Sequence, residues 1–282
     1  MSHHVKRLGT PTDVACQPLV HALRGQSRFD VEPGSTAENA LLLRSRSLDV
    51  SFISPIEYAK EGTDYVIVPG AALSSLEGAD TITLHFRAGL RGIRTIAVDP
   101  ASAAEVVLAM IVLQEEFDVR PSIVPVAGGL DLMLGRADAA LLVGNASLQE
   151  TLRHTNRLDL VDHWIDLTGL PYVCGFWCSR RDVLTREELA AFGDAADRAS
   201  ALAAAYTPSM LDPGLPTLPA ADLQTLLAAF GYAFSPTEQE AVEQFLRYAF
   251  YHGMLPDVPE IRLSTPPEDD SPGFVESEPH NR

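Results

Sequence analysis

Short apolar runs suited to β-strands alternate with helix-like stretches along most of this chain, a rhythm that restricts it to mostly parallel sheet covered by helices. Residues 5–9 are followed by a helical stretch at 18–24, residues 48–53 by one at 55–60, and residues 65–68 close the first cycle. A second cycle runs from 95–98 through an apolar helix near 103–117, a strand at 122–126, a helix at 130–134 and a strand at 139–143. Between the cycles, residues 81–86 alternate polar and apolar, and residues 172–178 form a later extended aromatic run. Both read as strands crossing between two lobes. The expected fold is therefore α/β with two lobes of mixed sheet joined by two crossover strands. The first lobe takes residues 1–84 and 182–262, and the second takes residues 85–181. Alanine-rich residues 186–206 and the stretches near 220–230 and 236–252 read as covering helices, with a proline-marked break at 208–219. Residues 264–282 carry too few apolar side chains to offset the entropy of ordering, and read as a disordered acidic tail.

At 282 residues, 46% hydrophobic and 21% charged, the composition is that of an ordinary globular protein. No run approaches the roughly 18 apolar residues of a spanning helix, and Met1 to Gly9 lacks the apolar core of a signal peptide, so a cytoplasmic protein is expected. A net charge of −17 argues against nucleic acid and against anionic membrane as partners. It leaves room for a small anion, which needs only a local pocket of amides, hydroxyls and an arginine or two. Cys16, Cys174 and Cys178 have neither the spacing nor the neighbouring histidines of a zinc site. They read as reduced, packed thiols, and no metal is expected.

Ser54 follows a largely apolar strand and precedes Pro55, which puts it at the strand's carboxyl end, the edge that carries ligands in open α/β sheets. The same position suits a plain helix N-cap. Ser74, Ser75, Gly78 and Thr81 read as a small-residue loop with amides and hydroxyls for a carboxylate, or as a solvated turn. Ser102 opens the long second-cycle helix, where helix N-terminus and hydroxyl form a candidate anion site. Gly144 and Asn145 end the strand at 139–143, and Gly144 permits close backbone approach to a ligand. His85, Arg87, Arg91 and Arg94 are the concentrated positive candidates near the hinge. There is no phosphate-binding glycine loop, nucleophile elbow or HExxH helix, and no catalytic side chain stands out. These observations describe a cleft-binding protein with Ser54, Thr81, Ser102, Gly144 and Asn145 as its substrate-binding candidates.

Several segments together resemble the chorismate dehydratase family of the futalosine route to menaquinone. They are RLGTPTDVACQPL at 7–19, LDVSFISPIEYAK at 48–60, DAALLVGNASL at 138–148, VDHWIDLTGLPYVCGFW at 161–177 and TEQEAVEQFLRYAFYHGMLP at 237–256. The resemblance implies a periplasmic-binding-protein type II fold closing on a small anionic substrate. It also implies a hydro-lyase that removes water from chorismate to give 3-[(1-carboxyvinyl)oxy]benzoate without a cofactor. The resemblance sets no oligomeric state.

The chain departs from the family pattern in places that matter. The family's opening segment commonly has an asparagine where this chain has Asp13, Val14 and Ala15 before Pro18, and Ala104 and Glu105 replace two hydroxyl-bearing residues after Ser102 and Ala103. Thr81 stands where the family generally has serine, which keeps the hydroxyl. Ala15 offers no donor, and a charged Glu105 would oppose a dianion, so weak or absent dehydration is expected. The alternative is a divergent paralogue that binds another cyclic or aromatic carboxylate without turning it over.

Overall fold

The computed structural model describes residues 5–61, 64–150 and 156–266. In chain order the elements are β1 (Lys6–Thr10), α1 (Gln17–Arg24), β2 (Phe29–Pro33), α2 (Thr36–Arg44), β3 (Val50–Ile53), α3 (Pro55–Glu61), β4 (Val66–Ser75) and β5 (Ile82–Phe86). There follow β6 (Thr95–Val98), α4 (Ala103–Phe117), β7 (Ser122–Pro125), α5 (Leu130–Leu134), β8 (Ala139–Val143), α6 (Asn145–Glu150), β9 (Arg157–Asp159) and α7 (Leu160–Thr168). The chain closes with β10 (Tyr172–Ser179), α8 (Arg186–Ala203), α9 (Ala220–Ala228), β11 (Phe230–Gly231) and α10 (Pro236–Tyr251).

Two mixed sheets result. A six-stranded sheet has the order β11-β4-β10-β3-β1-β2, with β1 parallel to β2 and β3 and β10 antiparallel to both its neighbours. A five-stranded sheet has the order β7-β6-β8-β5-β9, with β6 parallel to β7 and β8 and β5 antiparallel to both its neighbours. The chain passes from the first sheet to the second between β4 and β5, and returns through α7 to β10.

Sheet membership places two segments differently from the sequence expectation. Residues 172–179, expected with the second lobe, run between β3 and β4 in the first sheet, because Phe176 and Trp177 are buried on opposite faces as a central strand demands. All of β5 pairs with β8 and β9, so residues 82–84 belong to the second sheet. Ser74 and Ser75, expected in a loop, extend β4 and register with Val173 and Tyr172. The acidic tail begins later than 264. Leu263 bridges to Ile67, and the buried Ser264 donates its N–H to the Ile67 carbonyl at 2.7 Å. Residues 267–282 of that segment lie outside the described residues.

Local chemistry accounts for the helix starts. Ser35 with Glu38, Thr185 with Glu188 and Ser235 with Glu238 each form a capping box, and Pro236 occupies the first turn of α10. On one face of the first sheet, Trp177 lies against Phe52 and Phe192 beneath α1, α8 and α9, its indole N–H donating to the Gly9 carbonyl at 3.2 Å. A second core begins on the other face and continues through α10, α4 and α7 to β5, β6 and β8. Trp164 of α7 meets Phe245 of α10 edge-on, so α10 covers the junction between the sheets rather than one sheet alone. At the passage out of β4, Arg157 clasps the Asp80 carboxylate with two 2.9 Å bonds, and Asp80 takes a left-handed φ of 53°.

Candidate functional site

Each strand that ends at the junction hands the chain to a loop or helix start facing the other sheet. The segment after β1, the beginnings of α2 and α3, the beginning of α4 and the turn after β8 surround a cleft of two adjoining compartments. The inner one, a narrow cavity of about 60 Å³, is largely apolar, with Phe52, Leu73, Leu148 and Phe230 among its walls. The outer one, about 190 Å³, is bordered by the hydroxyl residues Ser35, Thr36, Ser54 and Ser102. Asp13, Thr36, Glu105 and Val143 border both.

All five sequence candidates reach this cleft, three at the inner compartment and two at the outer. Thr81 lines the inner one; it is 6% exposed, and its hydroxyl has no hydrogen-bond partner. Gly144, at φ 57°, donates its N–H to the Thr81 carbonyl, and a methyl group there would overlap the Asp13 carboxyl. Asn145 lines the same compartment, but its side-chain amide is committed to the backbone across the cleft. The carbonyl oxygen accepts from the Val14 N–H at 3.1 Å, and the amino group donates to the Thr12 carbonyl at 3.2 Å. Ser54 lines the outer compartment and also accepts the Glu57 N–H at 3.3 Å, capping α3. Ser102 lines the outer compartment at the start of α4, with no capping bond from its hydroxyl.

The positive candidates do not reach the cleft. Arg87, Arg91 and Arg94 are exposed, and His85 is buried beside the Thr83 hydroxyl at 2.9 Å. No lysine or arginine is among the residues lining either compartment. The charges there are carboxyls. Burial pushes the Asp13 carboxyl up from its ordinary range, partly offset by the Asn145 backbone N–H that it accepts. Glu105, half-buried in the first turn of α4, is pushed up to about 7 by desolvation and then by the Asp13 charge. The fully charged Glu105 expected from sequence is therefore only partly ionised at neutral pH. Cys16 and Cys174 also line the inner compartment, and burial pushes both thiols up, which keeps them protonated and unreactive. Among the described residues no group of three or more His, Cys, Asp or Glu is placed to hold a metal ion, and no helix is long and apolar enough to cross a membrane.

Sequence reasoning missed Thr36 as a cleft residue, whereas the departures from the family pattern already set Glu105 and the Asp13 loop beside the substrate. For Thr36 a signal existed: Ser35 and Glu38 spell a capping box, and the helix it starts points its N-terminus at the cleft. That the two acids border the same two compartments follows only from the folded structure.

Comparison with known proteins adds the following. The model of a family described as menaquinone biosynthesis matches residues 6–251. The chorismate dehydratase of Thermus thermophilus is 28% identical over 192 residues, covering 62% of this chain and 70% of that protein. The periplasmic aliphatic sulphonate binding protein SsuA from Escherichia coli superposes with a TM-score of 0.67 at 14% identity, covering 98% of this chain and 97% of the other. The alkanesulfonate-binding protein SsuA from Xanthomonas axonopodis pv. citri, solved bound to MOPS, gives 0.65 at 17% identity, covering 90% and 95%. The two-sheet architecture is thus that of periplasmic binding proteins.

Proposed function

This chain belongs to the menaquinone biosynthesis family, and from that premise we propose that it is a hydro-lyase acting on chorismate in this cleft. The reaction removes the proton from ring C3 and the hydroxyl from C4, giving 3-[(1-carboxyvinyl)oxy]benzoate and water. Because the ring becomes aromatic, the step is strongly driven, and the protein's task is chiefly to orient the substrate and stabilise developing charge. The observation that carries this reading is the convergence of Ser54, Thr81, Ser102 and Gly144 from both sheets on one cleft that sets apolar walls beside hydroxyl groups. Thr81, Ser102 and the N-termini of α2 and α4 hold the carboxylates in this reading, and Asn145 positions the Asp13 loop. The substrate's own enolpyruvyl carboxylate takes the C3 proton. Mass spectrometry of chorismate incubated with the purified chain tests it: the carboxyvinyloxy-benzoate is the expected product.

A second reading is a binding protein for a cyclic or aromatic carboxylate, without turnover. It is favoured by Ala15, whose side chain supplies no donor to the cavity it lines, and by the lack of basic residues there. Chorismate recovered unchanged, with binding retained, would support it.

A further inference from the structure

Asp13 and Glu105 face the same cleft from different elements, Asp13 from the segment after β1 and Glu105 from the first turn of α4. Both stand where the apolar and hydroxyl-lined compartments meet. Two ionised carboxyls with no basic side chain beside them would repel any anion. The other groups around them favour one. The N-termini of α2 and α4 bring partial positive charge to the cleft, with Thr36 and Ser102 beside them. Independently of the acids, Thr81 leaves a buried hydroxyl unpartnered in the cavity wall, and a buried polar group in that state costs roughly 1–3 kcal/mol. A ligand oxygen would satisfy it.

We propose that Glu105, in its neutral form, is a specificity-determining donor to a ligand carboxylate that the Thr81 hydroxyl also meets, so that the cleft takes up one proton with each carboxylate it binds. Burial keeps Glu105 protonated, with a smaller contribution from Asp13, whose carboxyl accepts the Asn145 N–H. The inference rests on reading this cleft as the ligand site and adds to that reading the class of group it selects.

The surrounding titratable groups leave Glu105 in this role. Glu57, at the outer compartment, is paired with Lys60 at 2.6 Å. Burial keeps Cys16, Cys174 and Tyr172 protonated. On α7, Asp162 accepts the Gly78 N–H, and Asp159 in the cap before it accepts the Asp80 N–H, both at 2.7 Å. At the far end of α4, Glu116 pairs with His163 and Glu115 with His252. Asp99, in the turn before α4, borders neither compartment.

Calorimetric titration of the full chain with benzoate, at pH values from about 5.5 to 8.5 in buffers of different ionisation enthalpy, tests the proposal. Above pH about 7 the expected result is uptake approaching one proton per benzoate, with affinity falling about tenfold per pH unit. Glu105→Gln, which keeps a neutral donor, should bind benzoate with no such pH dependence. Thr81→Val should bind more weakly while retaining the proton uptake. The proposal is overturned by wild-type binding without proton uptake, by no benzoate binding at any pH, or by an unchanged pH profile in Glu105→Gln. Binding of benzylamine that outstrips benzoate and strengthens as pH rises would also overturn it, since it would mark a cation site. Proton-linked benzoate binding beside inert chorismate would sink the proposed reaction and leave this inference standing.

Discussion

The side-chain oxygen of Asn145 accepts the backbone N–H of Val14 at 3.1 Å, tying the start of α6 to the segment after β1 across the cleft. The same amide donates to the Thr12 carbonyl, so one side chain spans the two sheets with both ends of its amide. Hydrogen bonds of this kind each contribute about 1 kcal/mol. Asn145→Ala should therefore lower stability by about 1–2 kcal/mol in urea unfolding, and small-angle scattering should show a more open average shape. An unchanged scattering profile with unchanged stability would mean that the bridge does not hold the cleft closed.

Gly144 lies beside that bridge under two constraints. Its φ of 57° disfavours side chains, and an added methyl would meet the Asp13 carboxyl. Gly144→Ala should cost about 1–3 kcal/mol. In an Asp13→Gly background part of that cost should vanish, because the clash goes while the backbone strain stays. A double-mutant cycle with no coupling between the positions would contradict the close packing of Asp13 on this turn.

Glu105 makes stability depend on pH in a definite direction. Its carboxyl is raised in the folded state from 4.5 to about 7, so the folded chain holds more protons than the unfolded chain between those values. Stability from this group is fully present below pH 4.5 and declines as pH rises towards 7, levelling off above it. The loss is on the order of 2 kcal/mol once water in the cleft is allowed for. Glu105→Gln should therefore melt higher than the wild type at pH 8 and near it at pH 4, as thermal unfolding by circular dichroism would show. A variant that gains nothing at pH 8 would show that solvent already screens this carboxyl.

Much of the fold could be read from the sequence because several of its inner strands, such as β8, are continuous apolar runs. The stretch ending at Ile53, followed by Ser54 and Pro55, announces a strand that stops where a helix starts, and the structure has β3 and α3 there. β2 was silent because it is an edge strand with only Phe29 fully buried, and α2 because Leu41 points outward. β10 lies in the first sheet and not with residues 85–181 as expected, since an aromatic run marks a central strand without saying between which partners. In the cleft, hydroxyl and glycine positions at strand ends were legible from local rules. The use of Asn145 was not: its partners lie more than a hundred residues away, at Thr12 and Val14. The altered ionisation of Asp13 and Glu105 was equally hidden, because desolvation depends on what the folded chain places around them.

Whether this cleft dehydrates chorismate is tested most directly by following formation of the aromatic product by absorbance, with purified chain at chorismate well below saturation. Parallel runs at pH about 6 and about 8 bracket the Glu105 titration near 7. The expected result is measurable 3-[(1-carboxyvinyl)oxy]benzoate formation at the lower pH and a several-fold slower rate at the higher. Chorismate that persists at both pH values, with the protein in stoichiometric amount and no aromatic product after hours, would contradict the assignment.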